Sequence, residues 1–261
     1  MFATLAVGTR RLLNYFGIRK ETGPRGPDLP FWCPAMARRH GRIYRAVRPF
    51  TMTGHERVAA LCQSVAYLEA HRIGGAVVEC GVWRGGSMMA AAYALLQLES
   101  TTRQLYLFDT FSGMPAPRPI DRDLHGRPAS DWLLDESAAG DIVRSRCDLP
   151  TVRRAMLQTR YPWKKLVFVP GRVEEVLPAE APSRIALLRL DTDWYESTYH
   201  ELDHLWPRLV EGGVLIVDDY GHWQGARRAV DEYFARHRLT LPLHKIDYTG
   251  RLVVMLGSRA L

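Results

Sequence analysis

Four aspartates fall in two short segments of the 261-residue chain, Asp191-Thr192-Asp193 and Asp218-Asp219. Each follows an apolar run, IALLRL before the first and GVLIV before the second. Such runs, closed by acidic or turn residues, read as parallel strands buried on both faces. In extended backbone, residues i and i+2 point to one side, so Asp191 and Asp193 are expected to face the same way. A neighbouring parallel strand would set Asp218 and Asp219 beside them. Carboxylates gathered without cations repel one another, and a hard divalent cation with oxygen ligands relieves that repulsion. The residues alone leave alternatives open. Asp218 and Asp219 reach one ion only if the backbone turns, one of them otherwise capping the next loop, and all four acids also suit a solvated strand end.

A second group runs from Glu79 to Ser87: Glu79-Cys80-Gly81-Val82-Trp83-Arg84-Gly85-Gly86-Ser87. It joins an apolar run, AVVEC (76–80), to a helical pattern from Met88 to Leu98. The spacing is E-x-G-x-x-x-G-G rather than the G-x-G-x-x-G of dinucleotide enzymes. Glycines let backbone approach a ligand closely, and the helix start offers free N–H groups. Glu79 suits an ammonium or sulfonium better than a pyrophosphate, while Ser87 and nearby amides suit a carboxylate. Asp109 closes the run LYLFD (105–109), ahead of Thr110-Phe111-Ser112-Gly113, and an acid there suits two ribose hydroxyls. A tight glycine turn holding no ligand is the alternative.

Two further features carry chemistry with less force. His200-Glu201-Leu202-Asp203-His204 matches H-E-x-x-H, which puts both histidines on one helical face, as a zinc hydrolase requires. No third ligand is apparent, and Tyr195, Tyr199, Leu202, Leu205, Trp206 and Leu209 suit packing onto a sheet, so the segment reads as an ordinary helix. His222 follows the acid pair. It is either an acceptor contact and base or a plain turn residue.

The elements that position these residues alternate strand and helix. Strands are expected at 76–80, 105–109, 165–170, 185–191 and 213–219, and helices at 88–98, 195–209 and 224–237. A hairpin is expected over 243–256 around Thr249-Gly250. The sum is an α/β chain with a mostly parallel seven-stranded sheet and an antiparallel edge. Thr53 reads as the N-cap of a helix with Glu56 completing a capping box. The Pro-, Gly- and Asp-rich stretch 110–150 reads as a functional loop, with Asp121, Arg122, Asp123 and His125 as a lid. Residues 1–20 suit a short amphipathic helix, and 21–35 a linker.

The net charge of +7 is uneven. Residues 1–50 hold ten Arg and Lys against Glu21 and Asp28, a formal excess of eight that leaves −1 on the rest. The chain therefore divides into a basic N-terminal arm or lid, 1–50, and a near-neutral domain, 51–261. The arm suits a solvated segment, or contact with an acidic substrate, subunit or nucleic acid. A nucleic-acid-binding protein working through this arm is the alternative from another class. Cys33, Cys62, Cys80 and Cys147 are scattered, which excludes a disulfide framework or zinc knuckle and points to a reducing, cytoplasmic setting. No apolar stretch approaches the ~20 residues of a membrane span, and no apolar segment follows Arg10-Arg11, so neither a membrane anchor nor a secretory signal is expected.

The chain resembles the macrocin O-methyltransferase family, which includes sugar O-methyltransferases of macrolide and aminocoumarin antibiotic pathways. The resemblance covers about residues 50–256 and rests on Thr51-Met52-Thr53, Val78 to Ser87, Phe108 to Gly113, Leu190-Asp-Thr-Asp-Trp-Tyr-Glu-Ser197, Val217-Asp-Asp-Tyr-Gly221 and Ile246 to Arg251. It implies a Rossmann-like class I fold that uses S-adenosylmethionine, Mg²⁺ or another hard divalent cation, and often a homodimer. The implied acceptor is a small-molecule hydroxyl, on a sugar of a glycosylated natural product; the aromatic diol of a catechol-type enzyme is the alternative. By motif, the resemblance implies Asp191, Asp218 and Asp219 as metal ligands and Asp193 as general base. It implies methyl-donor contacts from Glu79, Gly81, Val82, Trp83, Gly85, Gly86 and Ser87, from Asp109 to Gly113, and from Gly171-Arg172-Val173. Met52 and Thr53 would lie by the methyl group.

Overall fold

The computed structural model describes residues 34–255. The expected helix at 1–20, most of the 21–35 linker, Cys33 and seven of the arm's ten cations either lie outside the residues described or, for Arg38 and Arg39, have backbone alone described. The chain order is α1 (Pro34–Val47), α2 (His55–Ala70), β1 (Ala76–Cys80), α3 (Gly86–Gln97), β2 (Leu105–Asp109), α4 (Ala129–Leu134), α5 (Ala138–Arg144) and α6 (Leu149–Gln158). There follow β3 (Leu166–Pro170), α7 (Val173–Val176), β4 (Ile185–Leu190), α8 (Tyr195–Leu205), β5 (Leu209–Val217), α9 (Gln224–Arg236), β6 (His244–Lys245) and β7 (Arg251–Val254).

The seven strands form one sheet in the order β3-β2-β1-β4-β5-β7-β6. The pairs among β1 to β5 are parallel, and β7 runs antiparallel to both β5 and β6. This is the α/β architecture expected, with the antiparallel hairpin at one edge. Strand faces alternate as the period of two requires. Val77 and Leu187 pack under α2 and α3 in one core, while Val78 and Leu188 join Leu202, Leu205, Val230 and Tyr233 in the core on the other face. Strand order reverses direction between β1 and β4, so a crevice opens there at the carboxyl ends, where the acidic and glycine segments lie.

Several boundaries differ from the sequence reading. The α2 N-cap is Gly54 with no side-chain cap, so the Thr53–Glu56 capping box does not form. Thr53 is instead buried, with its hydroxyl accepting from Arg189 at 2.9 Å. The helix expected over 195–209 stops at Leu205, gives way to a 3-10 turn through Pro207, and Leu209 already begins β5. The 110–150 stretch holds α4 and α5 and ends just inside α6, whose N-cap Asp148 accepts from Thr151 N at 2.8 Å. Asp121 and Asp123 are buried, so they latch this stretch to the core. The Asp121 carboxylate takes Tyr195 N at 2.8 Å, and Asp123 bridges to Trp223. The described end of the arm is also packed: Ile43 and Val47 on α1 are buried in the main core.

Candidate active site

Gly81 turns the chain out of β1 with φ of +83°, and a Cβ there would sit 2.0 Å from the Asp191 carbonyl oxygen. Gly86 opens α3 against the Phe50 carbonyl, where a Cβ would meet oxygen at 2.5 Å. Both glycines therefore serve the close approach of chain to chain, which brings Phe50–Thr53 and the β4 end onto one crevice. A cavity of about 360 Å³ fills it. Of the residues expected to touch a ligand, Met52, Thr53, Gly81, Val82, Trp83, Ser87, Asp109, Thr110, Gly113, Gly171, Arg172 and Val173 line this cavity. So do Asp191, Asp193, Asp218, Asp219 and His222. Glu79, Gly85, Gly86, Phe111 and Ser112 do not border it.

At one end Asp109 organises its own loop. One carboxylate oxygen accepts from Val82 N at 2.8 Å and Trp83 N at 2.9 Å, and the other from Phe111 N at 2.7 Å. Burial pushes its pKa up against those hydrogen bonds, and the net shift is upward. With a long contact from the Thr110 hydroxyl at 3.5 Å, these hydrogen bonds engage both carboxylate oxygens. Trp83 and Phe111 hold left-handed backbone, φ +46° and +52°, on either side of this knot.

At the other end β4 stops at Leu190, and Asp191 already lies outside the strand. Asp193 adopts left-handed backbone with φ of +67°. A turn, not the alternation of an extended strand, thus brings Asp193 back beside Asp191. One oxygen from each of Asp191, Asp193 and Asp219 lies within 4.8 Å of the others, a donor set of hard oxygens that fits a divalent cation. Asp218, expected in that set in place of Asp193, is held instead by two arginines. Arg189 donates to Asp218 Oδ1 at 2.5 Å, and Arg57 pairs with Oδ2.

These acids do not share one electrostatic state. Burial, then the Asp191 and Asp218 charges, push the Asp193 carboxyl up to about 7, against a hydrogen bond with Asp219. Burial and the facing Asp193 raise Asp219 well above the carboxylate range. Burial also raises Asp191, with Arg189 opposing. Burial pushes Asp218 the same way, but Arg189 and Arg57 outweigh it and hold Asp218 below the ordinary value.

Arg189 and Arg57 stand among these acids, and the sequence reading passed over both. The signal for Arg189 was present: one cation inside an otherwise apolar, fully buried strand. Its guanidinium contacts Asp191 at 2.6 Å, Thr53 at 2.9 Å, Asp218 and Glu79. Arg57, in the first turn of α2, also pairs with Asp247 at 2.9 Å. Tyr248 was likewise missed; it stands 60% exposed at the mouth, its hydroxyl 3.5 Å from His222 Nδ1. Burial lowers the His222 pKa, which favours the neutral ring at pH 7. The histidines of the H-E-x-x-H segment sit on α8 with ring centroids 4.3 Å apart, and Glu201 is buried against the Thr192 hydroxyl. Among the described residues the grouped metal-type ligands are the three aspartates, and no histidine joins them.

The family model for macrocin O-methyltransferase (TylF) matches residues 34–253, nearly all of the described chain. This chain belongs to the macrocin O-methyltransferase family. It is 34% identical over 214 residues to a mycinamicin III 3''-O-methyltransferase of Micromonospora griseorubida, covering 82% of this chain and 81% of that one. It is 33% identical over 200 residues to an 8-demethyl-8-(2,3-dimethoxy-alpha-L-rhamnosyl)-tetracenomycin-C 4'-O-methyltransferase of Streptomyces olivaceus, covering 77% and 73% of the two chains. Among solved structures it is similar to the O-methyltransferase NovP, with a TM-score of 0.70 and 29% identity over 80% of this chain and 83% of that one. The protein is an O-methyltransferase of the class I fold, and its family membership implies S-adenosylmethionine as methyl donor. No helix among the described residues of this macrocin-type enzyme is long and apolar enough to cross a membrane.

Proposed function

We infer that this enzyme methylates a sugar hydroxyl of a glycosylated natural product, with S-adenosylmethionine as donor and Mg²⁺ or a similar cation as cofactor. The observation that carries the reading is one cavity bordered at one end by the Asp109 knot and at the other by four aspartates. The tetracenomycin-C 4'-O-methyltransferase relative, whose name carries a rhamnosyl group, supports the acceptor class. Gly81 to Ser87, Asp109 to Gly113 and Gly171 to Val173 hold the donor, with Met52 and Thr53 beside its methyl group. S-adenosylmethionine supplies, when bound, an electrophilic methyl group on a sulfonium. Asp191, Asp218 and Asp219 would hold the cation; in this structure it is Asp193 that groups with Asp191 and Asp219, while both Asp218 oxygens are paired with Arg189 and Arg57. The cation supplies, when bound, a positive field that eases loss of a proton from a hydroxyl beside it.

Asp193 takes the acceptor proton. A base whose pKa lies near 7 is matched to that task at neutral pH. His222, kept neutral by burial, faces the acceptor and orients its hydroxyls with Tyr248. The crevice holds donor and acceptor in one orientation, which contributes on the order of 7–11 kcal/mol toward a methyl transfer. The described end of the basic arm is built into the core through Ile43 and Val47, and its Phe50 borders the cavity, which supports a role for the arm beside the acceptor. A cytoplasmic homodimer completes the proposal, in keeping with free thiols at Cys62, Cys80 and Cys147.

The test is methyl transfer from labelled S-adenosylmethionine to a panel of aryl and macrolide glycosides and catechols, with Mg²⁺ or with chelator. Methylated sugar formed only with Mg²⁺ is expected. Transfer to catechols alone, or transfer undiminished by chelator, overturns the acceptor or the metal part respectively.

A further inference from the structure

Glu79 is the acid of the glycine motif, yet it does not border the cavity and is 1% exposed. The motif's cavity lining is formed without it: Gly81, Val82, Trp83 and Ser87 border the space, and Asp109 holds the Val82 and Trp83 amides. Its Oε1 pairs with Arg189, and its Oε2 is buried with no hydrogen-bond partner among the described residues. Arg189 in turn spans Thr53, Asp191 and Asp218. A matching arrangement stands on the other side of Asp218, where Arg57 bridges Asp218 and Asp247.

We propose that Glu79 is a positioning residue for the acid cluster, acting through Arg189 rather than on the methyl donor. Two arginines lie among the aspartates, and each is matched by one outlying acid, Arg189 by Glu79 and Arg57 by Asp247. The formal charge of Asp191, Asp193, Asp218 and Asp219 is thereby left for a cation. Without Glu79, the Arg189 charge falls wholly on Asp191 and Asp218 and competes there with a metal ion. The fork of Arg189 also loses the anchor that fixes its direction, because five guanidinium donors in one plane are set by whichever acceptors remain. Removing this buried acid, which burial raises to about 7 and which is therefore ionised above that pH, weakens cation binding there by the same sign of Coulomb energy.

This inference rests on the metal part of the proposed function, and its test separates the two. The full chain and its Glu79→Gln variant are titrated with Mn²⁺ alone and, separately, with S-adenosylhomocysteine, a neutral probe of the donor end. Glutamine keeps the size and one acceptor oxygen. The expected result is Mn²⁺ affinity weakened roughly tenfold with S-adenosylhomocysteine affinity within about threefold of the parent. Asp247→Asn, which keeps the oxygen that caps Thr249 and Gly250, carries the same prediction for Arg57 should Glu79→Gln not fold. Unchanged Mn²⁺ affinity in either folded variant, or equal losses for both probes, overturns the inference and leaves the metal reading standing. A parent chain that binds no Mn²⁺ overturns the metal reading, and this inference with it.

Discussion

Asp193 combines a left-handed backbone, a place in the cavity and a carboxyl pushed up to about 7. A non-glycine residue held at positive φ costs of order 1–3 kcal/mol, and such strain clusters at functional sites. Asp193→Asn should therefore cut turnover by about 10²–10⁴-fold while donor binding, measured by calorimetry, persists. Full activity in that variant would remove Asp193 from the role of base. At this scale the sequence was informative about acids and silent about their cations. Asp191, Asp193, Asp218 and Asp219 were legible because polar residues close apolar strands. Arg57 was not, because Asp218 and Asp247 lie far from it in the chain; Arg189 was passed over although it is the one cation of an apolar strand and stands two residues before Asp191.

The loop between α1 and α2 reaches the site because α3 begins with a glycine. Gly86→Ala would drive a Cβ into the Phe50 carbonyl, displacing Phe50–Thr53 from α3. The expected loss is about 1–3 kcal/mol of stability, seen in denaturant unfolding, together with weaker donor binding. Unchanged stability would mean that this loop is not packed as described. In the strands, Leu188 on β4 is fully buried in the core shared with α8 and α9, so Leu188→Ala should cost about 2–5 kcal/mol. Those buried strands were the most legible part of the chain. β1 and β2 have the bounds read from sequence, since five-residue apolar runs buried on both faces leave no second reading. α4 and α5 were lost inside the 110–150 stretch read as a loop, and α6, which begins at its end, was not read at all, although Asp148 and Pro150 form a recognisable helix start. The α1 helix was hidden because a Pro- and Gly-rich segment runs into its first turn.

The molecule as a whole gathers more buried acid than its arginines neutralise, and that sets its response to pH and metal. In metal-free protein the raised acids, Asp193 at about 7 among them, bind protons more tightly folded than unfolded. Between pH 4 and 7 the native state then holds more protons than the unfolded state, so this contribution to stability falls as pH rises. With chelator present, the melting temperature should decline from about pH 5 to pH 8 where these groups dominate, and Mg²⁺ at pH 8 should restore it. A saturating ligand at a hundred times its Kd stabilises by about 2.7 kcal/mol. A melting temperature at pH 8 that Mg²⁺ leaves unmoved would argue against a cation in the cluster.

One cavity is proposed to hold both the methyl donor and a divalent cation. Calorimetric titration of S-adenosylmethionine into the purified chain tests it most directly, first with Mg²⁺ present and then with chelator, followed by Mg²⁺ titrated into the donor-loaded protein. Saturable one-to-one donor binding is expected, together with a separate, chelator-sensitive binding of Mg²⁺. Absence of donor binding in both conditions, or of any Mg²⁺ binding to the loaded protein, would contradict it.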